Sequence, residues 1–442
     1  MADKKKILVV SDGASVPTGF GNVAKAVLKR LHETGEWEIH QLGVNYFDQP
    51  HDMPFKIYMA SAKDRHDWLG ISRVAELYKM IDPDVVWLFQ DFWHIAAYIQ
   101  NSPNMRGLCV YYPVDSPNMK SNWAVYLSSA VEVATYTQFA AEETSKSVQY
   151  SLERLMHTAK EQGKDEVDKI KLATKDGEGI LVSAARLKEL TNSDNINIIT
   201  HGVDLDTFHQ IDKKEARAKV GFEDDWFIVA NFNRNQPRKR IDLTFEAFAK
   251  FAKDKPNARL LLHDPLFSKQ DGWDLLQMAA EVFHISDKIL LSGKNQLGNN
   301  LSEKELNNLY STVDVMLNTC GGEGFGLISA ESAICGAAQI VPNWSATAEI
   351  WKDSAILIDP ITYNYQPVIN TKHCVVDTDQ IAVELNKLYQ DPKYLQEVSK
   401  KCQDNMLCGD YNWDIITKQF EDMFNRAAEK KYIYDDTPIK VE

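Results

Sequence analysis

"VDVMLNTCGGEGFGLISAESAICG", residues 313–336, decides the fold. "VDVMLNT" is an apolar run of strand length, "CGGEGFG" a glycine-rich turn, and "LISAESAICG" a helix. A strand, a tight loop and a helix in that order make the repeating step of a parallel α/β sheet, and such sheets take ligands at the carboxyl ends of their strands. Glu323 in the loop and Glu331 in the first turns of the helix then lie at that end. A carboxylate accepts two hydrogen bonds from vicinal hydroxyls of a ribose or hexose, and the amides from Gly324 through Phe325 and Gly326 to Leu327 suit a phosphate. Glu331 has a second reading, as an acid that favours the helix dipole by about 0.3–1 kcal/mol.

The same alternation runs outward in both directions. Strand-like runs "KILVV", "EIHQLGV", "DVVWLF", "GLCVYY", "VEVATY" and "INIIT" occupy the first half, and "WFIVANF", "ARLLLHD", "KILLSG", "VDVMLN", "AQIVP" and "AILID" the second. Two such sets in 442 residues predict two doubly wound domains, joined near "THGVDLDTFHQ" at residues 200–210, with a cleft between them as the default ligand site. Residues 146–190 are charged and helix-prone, and are expected to form a helical insertion, a solvated hairpin or a surface for acceptor or partner.

Composition narrows the class. The apolar fraction of 44% and charged fraction of 25% are those of a soluble globular chain, and no apolar run reaches membrane-spanning length. "MADKKKILVV" has too short an apolar part for a signal peptide and reads as the first strand. Six scattered cysteines without a CxxC pair fit a reduced, cytoplasmic enzyme. The net charge of −14 disfavours general adhesion to polyphosphates, leaving only local basic runs such as "NRNQPRKR".

Two further stretches carry chemistry. In "SDGASVPTGFGNVAKAVLKRL", Gly19 and Gly21 open a helix and allow close approach of a phosphate, with a plain tight turn as the alternative; the loop stands too far from its strand for a dinucleotide fingerprint. In "FNRNQPRKRIDLTFEAF", Arg234 and Lys239 flank a strand-to-helix turn and can hold a diphosphate without metal; Arg238 and Arg240 flank them, either as solvated surface charges or as part of the same group. Asp82–Asp84 and Asp204–Asp206 precede a strand and mark the domain join respectively, so neither is read as a metal site.

"EGFGLISAE", the Arg-x4-Lys of "RNQPRK" followed by "RIDL", the hinge-like "HGVDLDTF" and the amino-terminal "TGFG" together resemble the GT-B glycosyltransferases, most similarly the retaining family 4 group marked by Glu-x7-Glu. "DYNWDIITKQFEDMF" resembles the carboxy-terminal helix that crosses back to the first domain in that fold. The resemblance implies a first, acceptor-side Rossmann-like domain over 1–205 and a donor domain over 206–410, facing each other across a cleft, then the crossing helix over 411–430. It implies transfer of a sugar from a nucleotide-diphosphate sugar, a UDP-sugar first, to an acceptor hydroxyl, with retention, no covalent nucleophile, no metal and no cofactor.

In that scheme Arg234 and Lys239 neutralise the diphosphate, Glu331 binds the ribose and Glu323 holds the donor sugar. Gly324, Phe325, Gly326 and Leu327 offer amides to the donor, and Gly21 approaches its phosphates. Asp115 stands in "PVDSPNMKSNW", where relatives carry a histidine, and either orients the acceptor hydroxyl or belongs to an Asp-Ser-Pro turn. "NWSATAE" replaces a usual glycine pair before Glu349. A DNA-modifying transferase acting on a hydroxylated base, and a non-catalytic sugar-nucleotide binder, are the alternatives; the acceptor itself, whether glycan, lipid, protein or DNA base, is not read from the chain.

Overall fold

A computed structural model describes residues 4–102, 105–167, 169–172, 180–263, 272–292, 301–432 and 438–441. The chain divides into two compact units, one of residues 1–114, 118–201 and 413–442, the other of 115–117 and 202–412. The division after His201 falls inside "THGVDLDTFHQ", and the helix Trp413–Lys430 belongs to the first unit.

The first unit is built on a parallel sheet of β1 (Lys5–Asp12), β2 (Trp37–Val44), β3 (Lys56–Met59), β4 (Val85–Phe89), β5 (Leu108–Tyr112), β6 (Glu132–Thr135) and β10 (Asn197–Ile198). Their order across the sheet is β10-β6-β5-β4-β1-β2-β3. β4 and β5 are wholly buried, as strands covered on both faces must be, which is why they read as unbroken apolar runs. Thr18 caps the helix Gly19–Glu33 by accepting from the Gly21 amide at 3.0 Å.

The helix Trp413–Lys430 buries Phe420 and Phe424 in this unit. Phe420 lies 5.1 Å from Trp87 and 4.9 Å from Tyr111 between ring centres. Arg426 Nη2 donates to Glu132 Oε2 at 3.0 Å, and Trp37 Nε1 to Glu421 at 3.2 Å. Phe420→Ala is expected to cost the first unit about 3–5 kcal/mol, read as a lowered urea midpoint, because a fully enclosed ring leaves a cavity.

The segment expected to be a helical insertion is only partly helical. Its start completes the helix Gln138–Glu161, and Ala184–Leu190 forms another, but β7 (Glu166–Val167), β8 (Lys169–Leu172) and β9 (Ile180–Ser183) lie between, with residues 168 and 173–179 outside the described set. β8 and β9 pair antiparallel, and β7 pairs with β19 (Ile439–Lys440). "KIKL" and "ILVS" carry the β-branched and alternating residues that favour a hairpin over a helix.

The second unit has a parallel sheet of β11 (Phe227–Asn231), β12 (Ala258–Leu262), β13 (Ile289–Leu291), β14 (Val315–Leu317), β15 (Ala338–Pro342) and β16 (Ile356–Ile358). Its order is β13-β12-β11-β14-β15-β16, so the order reverses between β11 and β14. An antiparallel pair, β17 (Pro360–Tyr365) and β18 (Lys372–Val376), follows. Asp314, one residue before β14, is nearly buried; it accepts from Arg217 at 2.8 Å, Lys213 at 2.7 Å and the Ile228 amide at 2.8 Å, fixing the start of β11 beside β14. Among the described residues no helix is long and apolar enough to cross a membrane.

Candidate active site

The two loops singled out in the sequence leave the carboxyl ends of β11 and β14, neighbouring strands at the switch point of the second sheet. Ligands of open α/β sheets bind at such a point. The first loop carries Arg234 to Arg240 into the helix Ile241–Ala252; the second carries Cys320 to Gly326 into the helix Leu327–Ile334.

These loops are tied by charge. Lys239 Nζ donates to Glu323 Oε1 at 2.5 Å, and Arg238 Nη1 lies 3.4 Å from Glu323 Oε2. Arg238 Nη1 also donates to the Gly322 carbonyl at 2.5 Å and stands 3.2 Å from Asp115 Oδ2. Glu323 is 6% exposed, and its amide donates to Ser345 Oγ at 3.1 Å. Glu323 is therefore an enclosed, ion-paired group, not an acid on a loose loop. Burial alone would raise its pKa, but the Lys239 ammonium and Arg238 guanidinium outweigh that and hold the carboxyl at about 2.

A depressed carboxyl stabilises the fold fully above its unfolded value and loses that contribution as pH falls toward the folded value. For Glu323 the window runs from the ordinary 4.5 down to about 2. Glu323→Gln is expected to flatten the fall in thermal stability across that range; an unaltered acid limb would show that the ion pair does not form.

Arg238, which the sequence leaves open between a surface charge and a member of the site, belongs to the cluster. Its guanidinium joins Glu323, Gly322 and Asp115, from the single turn Pro237–Lys239 that also carries Lys239. Its backbone is held too, with its carbonyl accepting from the Gly321 amide at 2.8 Å. Arg240 has a local use, donating to Asp242 at 2.8 Å on the following helix. Arg234 is exposed, and no ion pair ties it to a described residue. The glycine at 322 follows from close approach: a Cβ there would meet Ser116 Oγ at 2.0 Å and the Asp115 carbonyl at 2.3 Å.

Glu331 is held apart from this cluster. Tyr310 donates to its Oε2 at 2.9 Å, and the Tyr310 ring stacks on Phe232 with centres 5.1 Å apart. Burial pushes the half-buried Glu331 carboxyl up to about 8, against the lowering effect of the tyrosine bond and with help from Glu303 and Asp204. Between the two acids, Gly326 caps the helix with φ 93°, a left-handed value glycine adopts without strain, and has no side chain to cover the first-turn amides of Leu327 and Ile328. Phe325 is buried, 6.0 Å from the Tyr411 ring.

In the first unit Gly21 has a structural use. Its amide serves the Thr18 cap, and a Cβ would fall 2.2 Å from the Val16 carbonyl, so the glycine allows the loop to fold on its own helix. Gly19 is the exposed first residue of that helix. The acids set aside as metal ligands are engaged locally: Asp82 pairs with Arg106 at 3.0 Å, and Asp204 accepts from Thr207 Oγ1 at 3.1 Å. Among the described residues no three His, Cys, Asp or Glu side chains are grouped to hold a metal ion.

Residues 212–404 match the family described as glycosyl transferases group 1, so the chain carries a glycosyltransferase domain that includes Arg234, Lys239, Glu323 and Glu331. Sucrose-phosphate synthase from Thermosynechococcus elongatus superposes with a TM-score of 0.68 at 15% identity, covering 97% of this chain and 100% of that one. Anabaena HepE in complex with UDP-glucose superposes with a TM-score of 0.63 at 13% identity over 95% and 99%. These likenesses show the fold, that of the GT-B glycosyltransferases.

Among curated proteins, D-inositol 3-phosphate glycosyltransferase of Mycolicibacterium smegmatis is 32% identical over 175 residues, 39% of this chain. The match spans 37% of that relative's length.

Proposed function

We propose that the chain transfers a sugar from a nucleotide-diphosphate sugar, a UDP-sugar in the first instance, to an acceptor hydroxyl, with retention of configuration and without a metal ion. The observation that carries this reading is the enclosed cluster of Lys239, Arg238 and Glu323 at the switch point, with Glu331 on the adjoining helix. Support comes from the group 1 domain and from the neighbour whose structure holds UDP-glucose.

In this reading Arg234 and Lys239 receive the diphosphate, and Arg238 keeps Glu323 charged when Lys239 turns toward phosphate. Glu323 then accepts hydrogen bonds from the donor sugar's hydroxyls, and Glu331 from those of the ribose. As the bond from the anomeric carbon to phosphate breaks, charge grows on the leaving diphosphate, and cations already in place lower the barrier because they need no reorganisation. The acceptor oxygen bonds to the anomeric carbon on the same face, its proton passing to the departing phosphate oxygen. Asp115 orients that acceptor hydroxyl.

Incubation with UDP-glucose in excess EDTA tests both finer points. UDP release is expected to persist, and NMR of the product is expected to give the α anomer of the donor. A β product would overturn retention, and loss of turnover restored by divalent ions would overturn metal independence.

A further inference from the structure

The strand next to β14 ends in a strained turn that reaches the Glu323 loop. β15 neighbours β14 in the second sheet, and two residues beyond its end Ser345 opens the short helix Ser345–Ile350. Ser345 has φ 48°, a left-handed value that glycine adopts freely and that is strained for any residue with a Cβ. It is also buried, at 7% exposure. Its Oγ accepts from the Glu323 amide at 3.1 Å and donates to the Glu323 carbonyl at 3.2 Å, so one hydroxyl grips the main chain of one residue on both sides.

Strain of this kind persists only where the surroundings hold it, and here they do. The Asn343 amide donates to the Ile358 carbonyl at 2.8 Å, and its side chain to Asp359 at 2.7 Å. Trp344 packs on Tyr363 with ring centres 4.8 Å apart, and Thr347 Oγ1 lies 2.8 Å from the Pro342 carbonyl and 2.7 Å from that of Trp344. On the facing loop Gly321 is fixed as well, its amide donating to the Arg238 carbonyl at 2.8 Å and its carbonyl accepting from the Cys374 amide at 2.9 Å. Glu323 follows two residues later, its carboxylate held by Lys239 and Arg238 and its main chain by Ser345. When Lys239 turns toward phosphate in the proposed transfer, the carboxylate is aimed by Arg238 and by its own backbone. Alanine at 345 would keep the strain and lose the hydroxyl; glycine would lose both.

We propose that Ser345 is a positioning residue for Glu323: its strained backbone directs Oγ at the Glu323 main chain, and this hold sets where the carboxylate meets the hydroxyls of the donor sugar. That role rests on the proposed transfer; the hold on Glu323 does not.

The test compares the full chain with Ser345→Ala and Ser345→Gly by calorimetry with UDP and with UDP-glucose, by thermal melts, and by hydrogen exchange of the segment 320–326 without nucleotide. Both variants should bind UDP-glucose roughly tenfold more weakly while UDP stays within about twofold of the wild type, because only the sugar meets Glu323. The glycine variant should melt above the alanine one, since φ 48° suits it. Affinity for the sugar nucleotide then follows the hydroxyl. A merely structural serine would make it follow stability, with glycine close to the wild type and alanine below. Exchange at the Glu323 amide should quicken roughly tenfold in both variants, the loss of about one hydrogen bond. The proposal is overturned if UDP and UDP-glucose weaken together, if Ser345→Gly binds the donor like the wild type, or if exchange at Glu323 is unchanged. A wild type that binds neither nucleotide, with a Glu323 amide that still responds to Ser345→Gly, would overturn the donor site and this role with it, while the tether itself stands.

Discussion

Lys239→Ala is expected to do damage twice, by lowering stability by about 3–5 kcal/mol and slowing sugar transfer by about a hundred- to a thousandfold. The first effect follows from burial. Glu323 is 6% exposed, and without its partner at 2.5 Å it keeps Arg238, at 3.4 Å, and the Cys320 thiol to offset the cost of an enclosed charge. The second follows from the leaving group, which loses a fixed cation. The two effects separate in the double variant Lys239→Met with Glu323→Gln. Removing both charges relieves the stranded carboxylate, so most of the stability should return while transfer stays lost. Thermal melts and initial rates on one preparation check this, and a single variant as stable as the wild type would show that Glu323 does not depend on the pair.

Glu331→Gln is expected to weaken nucleotide binding by at least about tenfold, since each charge-assisted hydrogen bond is worth about 1.5–3 kcal/mol. It should also remove a pH dependence. In the free protein the Glu331 carboxyl lies near 8, so at neutral pH it carries a proton. A ribose diol donates twice to a carboxylate and favours the charged form, so binding should expel that proton and affinity should rise with pH until it levels near 8. Calorimetry of UDP at pH 7 in two buffers of different ionisation enthalpy measures the release, which the glutamine variant should lack. Tyr310→Phe removes the bond that lowers the Glu331 pKa and should move the levelling point to higher pH.

The strands were legible because each is an unbroken apolar run between turn signals, as in "DVVWLF" and "AQIVP", and parallel sheets covered on both faces require such runs. The places of Lys239, Glu323 and Glu331 on strand-end loops and a first helical turn were legible from the strand–loop–helix order, while the roles given them came from the family resemblance. Arg238 was not, since its partners Glu323 and Asp115 are far from it in sequence and only the fold joins them. For the same reason the purpose of Gly322 was hidden: what crowds it is the segment at Asp115 and Ser116. Gly21 has a structural use that the sequence leaves beside a phosphate-facing one, because a glycine that lets a loop fold on its own helix has the same local sequence as one that approaches a phosphate. The strands around "KIKL" and "ILVS" were masked by flanking lysines and glutamates that favour helix.

The claim that the second unit is a nucleotide-sugar site is tested most directly by following hydrolysis of UDP-, GDP- and ADP-sugars by the full chain, beside Glu331→Ala. One nucleotide class, UDP first, should be consumed by the wild type and bound at least about tenfold more weakly by the variant. If no nucleotide sugar binds, or if Glu331→Ala binds and turns over the donor like the wild type, the account of this site is wrong.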